Sequence, residues 1–265
     1  MENFVEVLLA YKGLIVFVWL LLLFVLERTF PASALTKNSE GVEKYFPVRV
    51  WRNICLWFCN LLLSPLVVIP LTIWATTHLV GWRPAVLSGG IGIILDVILL
   101  DCLIYWWHRL NHEIPFLWRF HEIHHLDMNL DTTSALRFHF GEVILSAIMR
   151  VLVIVLFDIP LVSVIIFETI LLIGTIFHHS NLRLDHRLEK VLSMVIVTPS
   201  IHWVHHHALR RDTDSNYGTV FSFWDRVFRS KSLARRTLNM KIGVEGATDK
   251  SLPQLFLRPF VKRKD

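Results

Sequence analysis

The sequence predicts an all-α integral membrane protein, with four to five membrane helices and a cytoplasmic helical cap. Two observations carry the membrane part. Of 265 residues, 54% are hydrophobic and only 18% charged, against roughly 25% in soluble proteins, and the mean hydropathy is +0.50. Several apolar runs are also long enough to cross a hydrocarbon core of about 30 Å. A third observation concerns the cap: of fourteen histidines, all but His78 lie between 108 and 207, in clusters at helical spacing. Such a composition excludes a disordered chain. The three cysteines, Cys55, Cys59 and Cys102, lie in apolar runs without a Cys-x-x-Cys pair, which excludes a disulfide framework and a zinc ribbon.

The first span runs from Phe4 to Leu26, interrupted only by Glu6 and Lys12; as a helix it measures about 34 Å. Ala32-Ser33-Ala34 resembles a signal-peptide cleavage site, but Glu2 and Glu6 replace a basic leader and Glu27-Arg28 separates the apolar run from the small residues, so a retained anchor is expected. Asn53 to Trp82 holds no charge; Pro65 and Pro70 predict a kink in this second span. Ala85 to Trp107, with Asp96 and Asp101, is the third. From Val143 to Phe177 the apolar stretch breaks at Asp158 and Pro160, giving two segments near the lower length limit that either cross or dip as a hairpin.

Lysines and arginines set the orientation. Residues 27–52 carry Arg28, Lys37, Lys44, Arg49 and Arg52, the connection near 83 only Arg83, and residues 108–142 Arg109, Arg119 and Arg137, while most of the remaining basic residues follow His178. This alternation puts the N-terminus outside and every histidine cluster inside. The basic residues adjoin membrane spans, so a pI near 9.3 needs anionic headgroups and not nucleic acid as its explanation. Three regions result: 1–95 with the N-terminal membrane helices, 96–236 with the histidines and the hairpin at about 143–177, and a basic tail at 237–265.

His108 with His112, His121 with His124 and His125, and His202 with His205 and His206 each occupy one helix face. Eight imidazoles exceed what one tetrahedral zinc uses, so two metals are expected, each with four or five ligands and an open position that suits iron and dioxygen. His78 and His186 stand alone and read as structural or solvated, and His207 leaves the face of its neighbours. His121-Glu122-x-x-His125 also satisfies a zinc-protease pattern with Glu122 as base, and an intramembrane metalloprotease is one competing reading; it leaves the other two clusters idle. A metal transporter or storage protein is another, although its ligands would line a path through the spans. Glu122-x-x-His125 is a single Glu-x-x-His element where carboxylate di-iron bundles need two.

The strings Asp101-Cys-Leu-Ile-Tyr105-Trp-Trp-His108-Arg109-x-x-His112, Leu117-Trp118-x-Phe-His121-x-x-His124-His125 and Thr198-Pro199-Ser-x-His202-x-x-His205-His206 resemble the three histidine boxes of the fatty acid hydroxylase and sterol desaturase superfamily. Ala135-Leu-Arg-Phe-His139-x-x-Glu142, Phe177-His178-His179-Ser-Asn181, Asn216-Tyr-Gly218 with Trp224-Asp-Arg226, and Leu255-Phe-Leu-x-Pro259-Phe260 are similar to its bacterial sterol desaturase-like branch. The resemblance covers about residues 96 to 260. It implies a non-haem di-iron centre in a cytoplasmic cap, two iron ions that zinc can replace on purification, and O2 as cosubstrate. It also implies hydroxylation or desaturation of a membrane lipid: fatty acyl, sterol, sphingoid, alkylglycerol or carotenoid. By the same resemblance His108, His112, His121, His124, His125, His179, His202, His205 and His206 are metal ligands, and His139 is a ligand or a group that orients one. His178 precedes a matched position without matching one itself, and reads as a polar neighbour of the site or a less certain ligand. No flavin, haem or nicotinamide motif is evident, so a separate electron donor, ferredoxin- or cytochrome-type with its reductase, is expected.

Asp101 is too far along its helix to orient His108; it either accepts a ring N–H from another cluster or links to Arg150, whose charge in an apolar segment needs a partner. Glu113, after the first cluster, is a further candidate for orienting a ligand. In the tail, Leu252, Leu255, Phe256, Phe260 and Val261 recur near helical spacing among Lys250, Arg258, Lys262, Arg263 and Lys264, the pattern of a helix lying in the headgroup plane. A plain membrane anchor is the first reading of these basic residues; the alternative is that those flanking the site, Arg210, Arg211, Arg235 and Arg236 among them, also dock an acidic electron carrier.

Overall fold

The computed structural model describes residues 2–33, 42–237 and 240–261. Side chains of 2–5 and 42–45 are not described, so Glu2 and Lys44 lie outside the described side chains, and Ala34, Lys37, Lys262, Arg263 and Lys264 outside the described residues. All described regular structure is helical; the described residues contain three isolated bridges and no strand.

Helix α1 (Glu2–Thr29) is the first span. Val7, Leu14, Phe17 and Leu21 on it are more than half exposed, an apolar surface of the kind lipid must cover. The second span begins earlier than the charge-free run: α2 covers Val42–Leu63, a wider turn Ser64–Val68 follows, and α3 completes it at Ile69–Thr77. Pro65 and Pro70 each lack an N–H for the ladder, and the wide turn absorbs that loss where a kink was expected. The start of α2 matters because it puts Arg49 in the same helix as Asn53, just ahead of the charge-free segment.

Helix α4 (Gly90–Glu113) is the third span, and it does not stop at Trp107 but carries His108 and His112 on its last turns. Pro115 then opens α5 (Pro115–His125), where a missing N–H costs nothing. The break at Asp158 separates α6 (Phe140–Leu156) from α7 (Leu161–His179). Asp158 adopts φ 51°, and its carboxylate accepts backbone N–H groups of Gly81, Trp82 and Arg83 at 2.9, 2.5 and 2.9 Å. That fixes the bundle end away from the histidines. Among the described residues four helical spans, α1, α2–α3, α4 and α7, are long and apolar enough to cross a membrane, while α6 is 17 residues long. The protein is a multi-pass membrane protein.

Between the spans, Val97, Leu100 and Ile104 of α4 pack with Ile154, Ile159, Val164 and Phe167. Arg150, in α6, finds its partner across the hairpin: Glu168 accepts from it at 3.2 Å and from Lys12 at 2.8 Å. The predicted link to Asp101 is therefore not made.

Past the bundle end, the cap contains α8 (His186–Leu192), α9 (Pro199–His205), α10 (Arg210–Thr213), α11 (Phe223–Val227) and α12 (Leu252–Leu257). The tail helix is anchored to the cap. Leu255 is fully buried against Leu56, Ile123 and Leu126 with Leu252 and Phe256 beside it, and Arg258 donates to both oxygens of Glu122 at 2.7 and 2.9 Å. Of the apolar positions that suggested a headgroup-plane helix, Leu252, Leu255 and Phe256 pack on the back of α5, while Phe260 and Val261, with Leu257, stay exposed.

Candidate metal centre

Three helix ends and one short helix meet at the base of the cap. The last two turns of α4 supply His108 and His112, α5 supplies His121, His124 and His125, the last turn of α7 supplies His179, and α9 with the residue after it supplies His202, His205 and His206. The structure sorts these nine side chains into two groups: His108, His112, His121, His125 and His205 in one, and His124, His179, His202 and His206 in the other, with ligand atoms within 4.8 Å of one another. Either group is able to hold a metal ion.

Ring orientation follows from what the outer nitrogens meet. Nδ1 of His108, His124, His179 and His205 lies 2.8, 3.0, 2.7 and 2.7 Å from the carbonyl oxygens of Tyr217, Arg137, Thr175 and Ser215. A carbonyl only accepts, so each Nδ1 donates and a neutral ring presents a bare Nε2 lone pair inward. Nδ1 of His121 donates to Glu142 at 2.8 Å, and Asp214 stands 3.3 Å from Nδ1 of His112. Nε2 of His124 and Nε2 of His179 face each other at 3.0 Å. Two bare lone pairs at that distance repel, and a cation bonded to both removes the conflict; nitrogens so spaced suit neighbouring sites on an ion about 2.1 Å from each. Nε2 of His112 and of His205 are buried with no hydrogen-bond partner among the described residues. The donor set therefore fits metal ions of the imidazole-binding class.

Charge points the same way. Burial, followed by repulsion from neighbouring imidazoles, drives His124, His125, His202 and His206 well below the usual histidine range. Burial likewise lowers His205 to about 3 although the Ser215 carbonyl opposes it. These imidazoles are neutral at physiological pH, as metal ligation requires.

Other candidates stand elsewhere. His139 belongs to neither group: it caps α6, accepting from the Gly141 N–H at 3.0 Å, and its Nε2 meets the Phe256 carbonyl at 3.1 Å. The expectation of a ligand or orienting role is corrected to a helix cap that also holds the tail. His178 is likewise outside both groups, its ring centroid 4.0 Å from that of His202. Asp101 orients no histidine directly. It accepts from the N–H groups of Val220 and Phe221 and from the Trp224 indole at 3.2, 3.1 and 2.8 Å, because α4 faces the 216–225 loop there and not another histidine helix. Asp225 takes the Tyr217 and Gly218 N–H groups at 2.7 and 3.0 Å. A Cβ at Gly218 would lie 2.9 Å from that carboxylate, so glycine lets the loop close and aims the Tyr217 carbonyl at His108. Glu113 pairs with Arg109 at the surface, and His207 with Asp212. Arg236 is not a free docking cation; it stacks 3.7 Å from the Trp203 ring and donates to Asn181.

Glu142 and Asp214 are the side chains sequence reading left without a role. Glu142 carried a signal: a carboxylate in the first turn of an otherwise apolar helix needs a buried partner. Asp214, in a polar loop, carried none.

A cavity of about 320 Å³ opens on the histidines from the membrane side, between α2, α4, α6 and α7. Ile104, Trp107, Val143, Leu171 and Leu172 make its apolar walls, His108, His121, His124 and His179 line it, and Arg150 does too.

The family model described as fatty acid hydroxylase matches residues 93–230, so the chain belongs to the fatty acid hydroxylase family. It is 27% identical over 171 residues to the ornithine lipid hydroxylase OlsE of Rhizobium tropici, covering 64% of this chain and 51% of that protein. It is 32% identical over 129 residues to the human alkylglycerol monooxygenase, 49% of this chain and 28% of the relative. With the rat cholesterol 25-hydroxylase it shares 20% over 158 residues, 59% and 52% of the two chains. The matches thus span about half or less of these relatives' lengths. No solved structure matches the chain.

Proposed function

We propose that this member of the fatty acid hydroxylase family is an O2-dependent non-haem di-iron oxidoreductase that hydroxylates or desaturates a C–H bond of a membrane lipid. The observation that carries the metal part is the pair of bare Nε2 atoms of His124 and His179, 3.0 Å apart. Relatives named as lipid hydroxylases and monooxygenases supply the class of reaction. In this reading the five-histidine group holds one iron and the four-histidine group the other. The two ions would supply dioxygen activation strong enough to cleave an unactivated C–H bond.

The chain's residues do the rest. Glu142, Asp214 and the carbonyls of Arg137, Thr175, Ser215 and Tyr217 fix ring orientation and tautomer, a role whose loss typically costs 10- to 100-fold. The apolar walls admit hydrocarbon from the bilayer and exclude water from the histidines. Glu122 is turned to Arg258 and supports the α5–tail contact, which argues against its serving as a protease base. In reconstituted protein supplied with iron, reductant and 18O2, lipid product is expected to carry the label or a new double bond. Glu122→Gln should slow turnover by less than about tenfold, whereas His202→Ala should abolish it. Lost turnover in Glu122→Gln with activity intact in His202→Ala would sink the oxygenase reading in favour of a metalloprotease.

We also place the cap on the cytoplasmic side, from the distribution of lysine and arginine, with a separate ferredoxin- or cytochrome-type donor docking there. The surface hollow bounded by Lys190, Arg226, Lys231 and Arg235 is exposed and basic, and Trp203 lies beneath Arg236 next in sequence to His202. Reversing Lys231 and Arg235 to Glu should slow carrier-driven turnover several-fold at low salt and leave chemically reduced single turnover unchanged. Equal slowing in both assays would refute docking at this face. Labelling of Ser232→Cys from outside intact cells would refute the orientation.

A further inference from the structure

Cavities that take lipid chains are mostly apolar, with a few polar groups that fix orientation. Here those polar groups lie at the histidine end, and several of their atoms have no hydrogen-bond partner within the described residues. Asn111 is 1% exposed, lines the cavity, and has neither its Nδ2 nor its Oδ1 hydrogen-bonded. Buried amides are almost always satisfied, and leaving both ends bare costs stability that a bound partner would recover. Asn111 is not alone. Asn60, on α2, donates to the Phe138 carbonyl at 2.8 Å, yet its Oδ1 is buried and unpaired. Oε2 of Glu142 is also unpaired while Oε1 holds His121. Both residues line the same cavity.

We propose that Asn111, helped by Asn60, recognises the polar group of the lipid, and that this group carries both a hydrogen-bond donor and an acceptor, as an amide or a hydroxyl does. This inference rests on the oxygenase reading for its consequence but not for the binding itself. Among the unpaired atoms of Asn111, Asn60 and Glu142, one is a donor, Asn111 Nδ2, and three are acceptors, so an ester or bare hydrocarbon would leave acceptors unpaired. Sites built on hydrogen bonds discriminate strongly against analogues that lack them, because the site's own groups are then stranded. Asn111 precedes His112 by one residue and follows His108 by three. A polar group held there puts the oxidised C–H bond within a few bonds of it, not at the far end of the chain. The hydrocarbon then runs past Val143 and Leu171 toward the lipid-facing rim at Trp57 and Leu172, each 41% exposed.

The test uses iron-loaded full-length protein in lipid nanodiscs and four probes with identical 12-bromododecyl chains: a secondary amide, an alcohol, a methyl ester and the bromoalkane. Bromine quenching of tryptophan reports binding, since Trp57 and Trp107 line the cavity. The amide and alcohol are expected to bind at least about tenfold tighter than the ester and alkane at equal membrane mole fraction. Asn111→Leu should narrow that ratio below about threefold, with iron content and ester binding unchanged and with the metal-free protein no less heat-stable, since an unsatisfied buried amide is removed. Asn60→Leu should narrow it less and serves if Asn111→Leu fails to fold. Equal binding of the four probes by the wild type overturns the proposal, as does a ratio preserved in the variants. Loss of iron in Asn111→Leu also overturns it and assigns the residue to support of the histidines. Preference for amide and alcohol without any oxygenase turnover would leave this inference standing and remove the oxygenase reading alone.

Discussion

Fully loaded protein is expected to bind about two iron ions per chain, and single histidine substitutions should reduce the number by group. His205→Ala removes a ring from the five-histidine set and His206→Ala one from the four-histidine set. Groups that merely orient ligands are worth 10- to 100-fold in affinity or activity, so deleting a ligand should cost more than about 100-fold in turnover. The groups differ in tolerance. Losing one of five ligands leaves four, enough for an imidazole site, so His205→Ala should keep part of its second metal; losing one of four leaves three, and His206→Ala should fall toward one ion per chain. Elemental analysis with Mössbauer spectroscopy separates these outcomes, and zinc acquired during purification must be exchanged for iron first. A wild type that holds one tightly bound ion under iron-replete conditions would refute the two-metal reading.

The histidine faces were legible because helical spacing alone fixes which rings point together: three and four residues apart means one face, and α4, α5 and α9 present the spacing as read. How those faces divide was not legible. His124 and His125 are adjacent in sequence yet go to different groups, because neighbours on a helix differ by about 100° in direction and the two groups flank α5. His139 shows the opposite failure. A histidine inside a matching motif looks like a ligand, but its position just before an apolar helix made it an N-cap, with Nδ1 accepting from Gly141 where Ser or Asp more often serves. Asp101 misled through helix geometry. Its partner was sought among histidines or in Arg150, while the carboxylate meets backbone N–H groups of a loop more than a hundred residues later, and such long-range pairings leave no periodic trace. In the tail, an amphipathic pattern states that one side is buried and not what covers it; α5 covers Leu255, while Phe260 and Val261 stay exposed.

Replacing Arg49 by methionine should destabilise the protein by about 3–5 kcal/mol, the range for removing one partner of a buried ion pair. Its guanidinium is fully buried and donates to Asp127 at 2.5 Å, to both oxygens of Asp131 at 3.0 and 2.8 Å, to the Asn129 carbonyl and to Ser134. Methionine fills much of the space but strands two carboxylates, which is why breaking the pair costs more than never having had it. The cluster also bears on the site. Asp127 to Ser134 is the turn that follows α5, and Asn53 and Arg137 extend the same network to the Ile123 carbonyl between His121 and His124. α2 thus ties down the chain within and just after the histidine helix, and iron affinity should fall along with stability. The pH dependence has a definite sign. Burial alone would raise Asp131, but the Arg49 charge overcomes it and holds the carboxyl down to about 2. A carboxyl depressed on folding contributes stability above its unfolded value near 4 that is lost as pH falls toward 2. Thermal unfolding in detergent should therefore show stability declining between about pH 4 and pH 2, and Asp131→Asn should flatten that decline while lowering stability at neutral pH. Wild-type stability for Arg49→Met, or an unchanged acid limb in Asp131→Asn, would show that contacts elsewhere hold the turn.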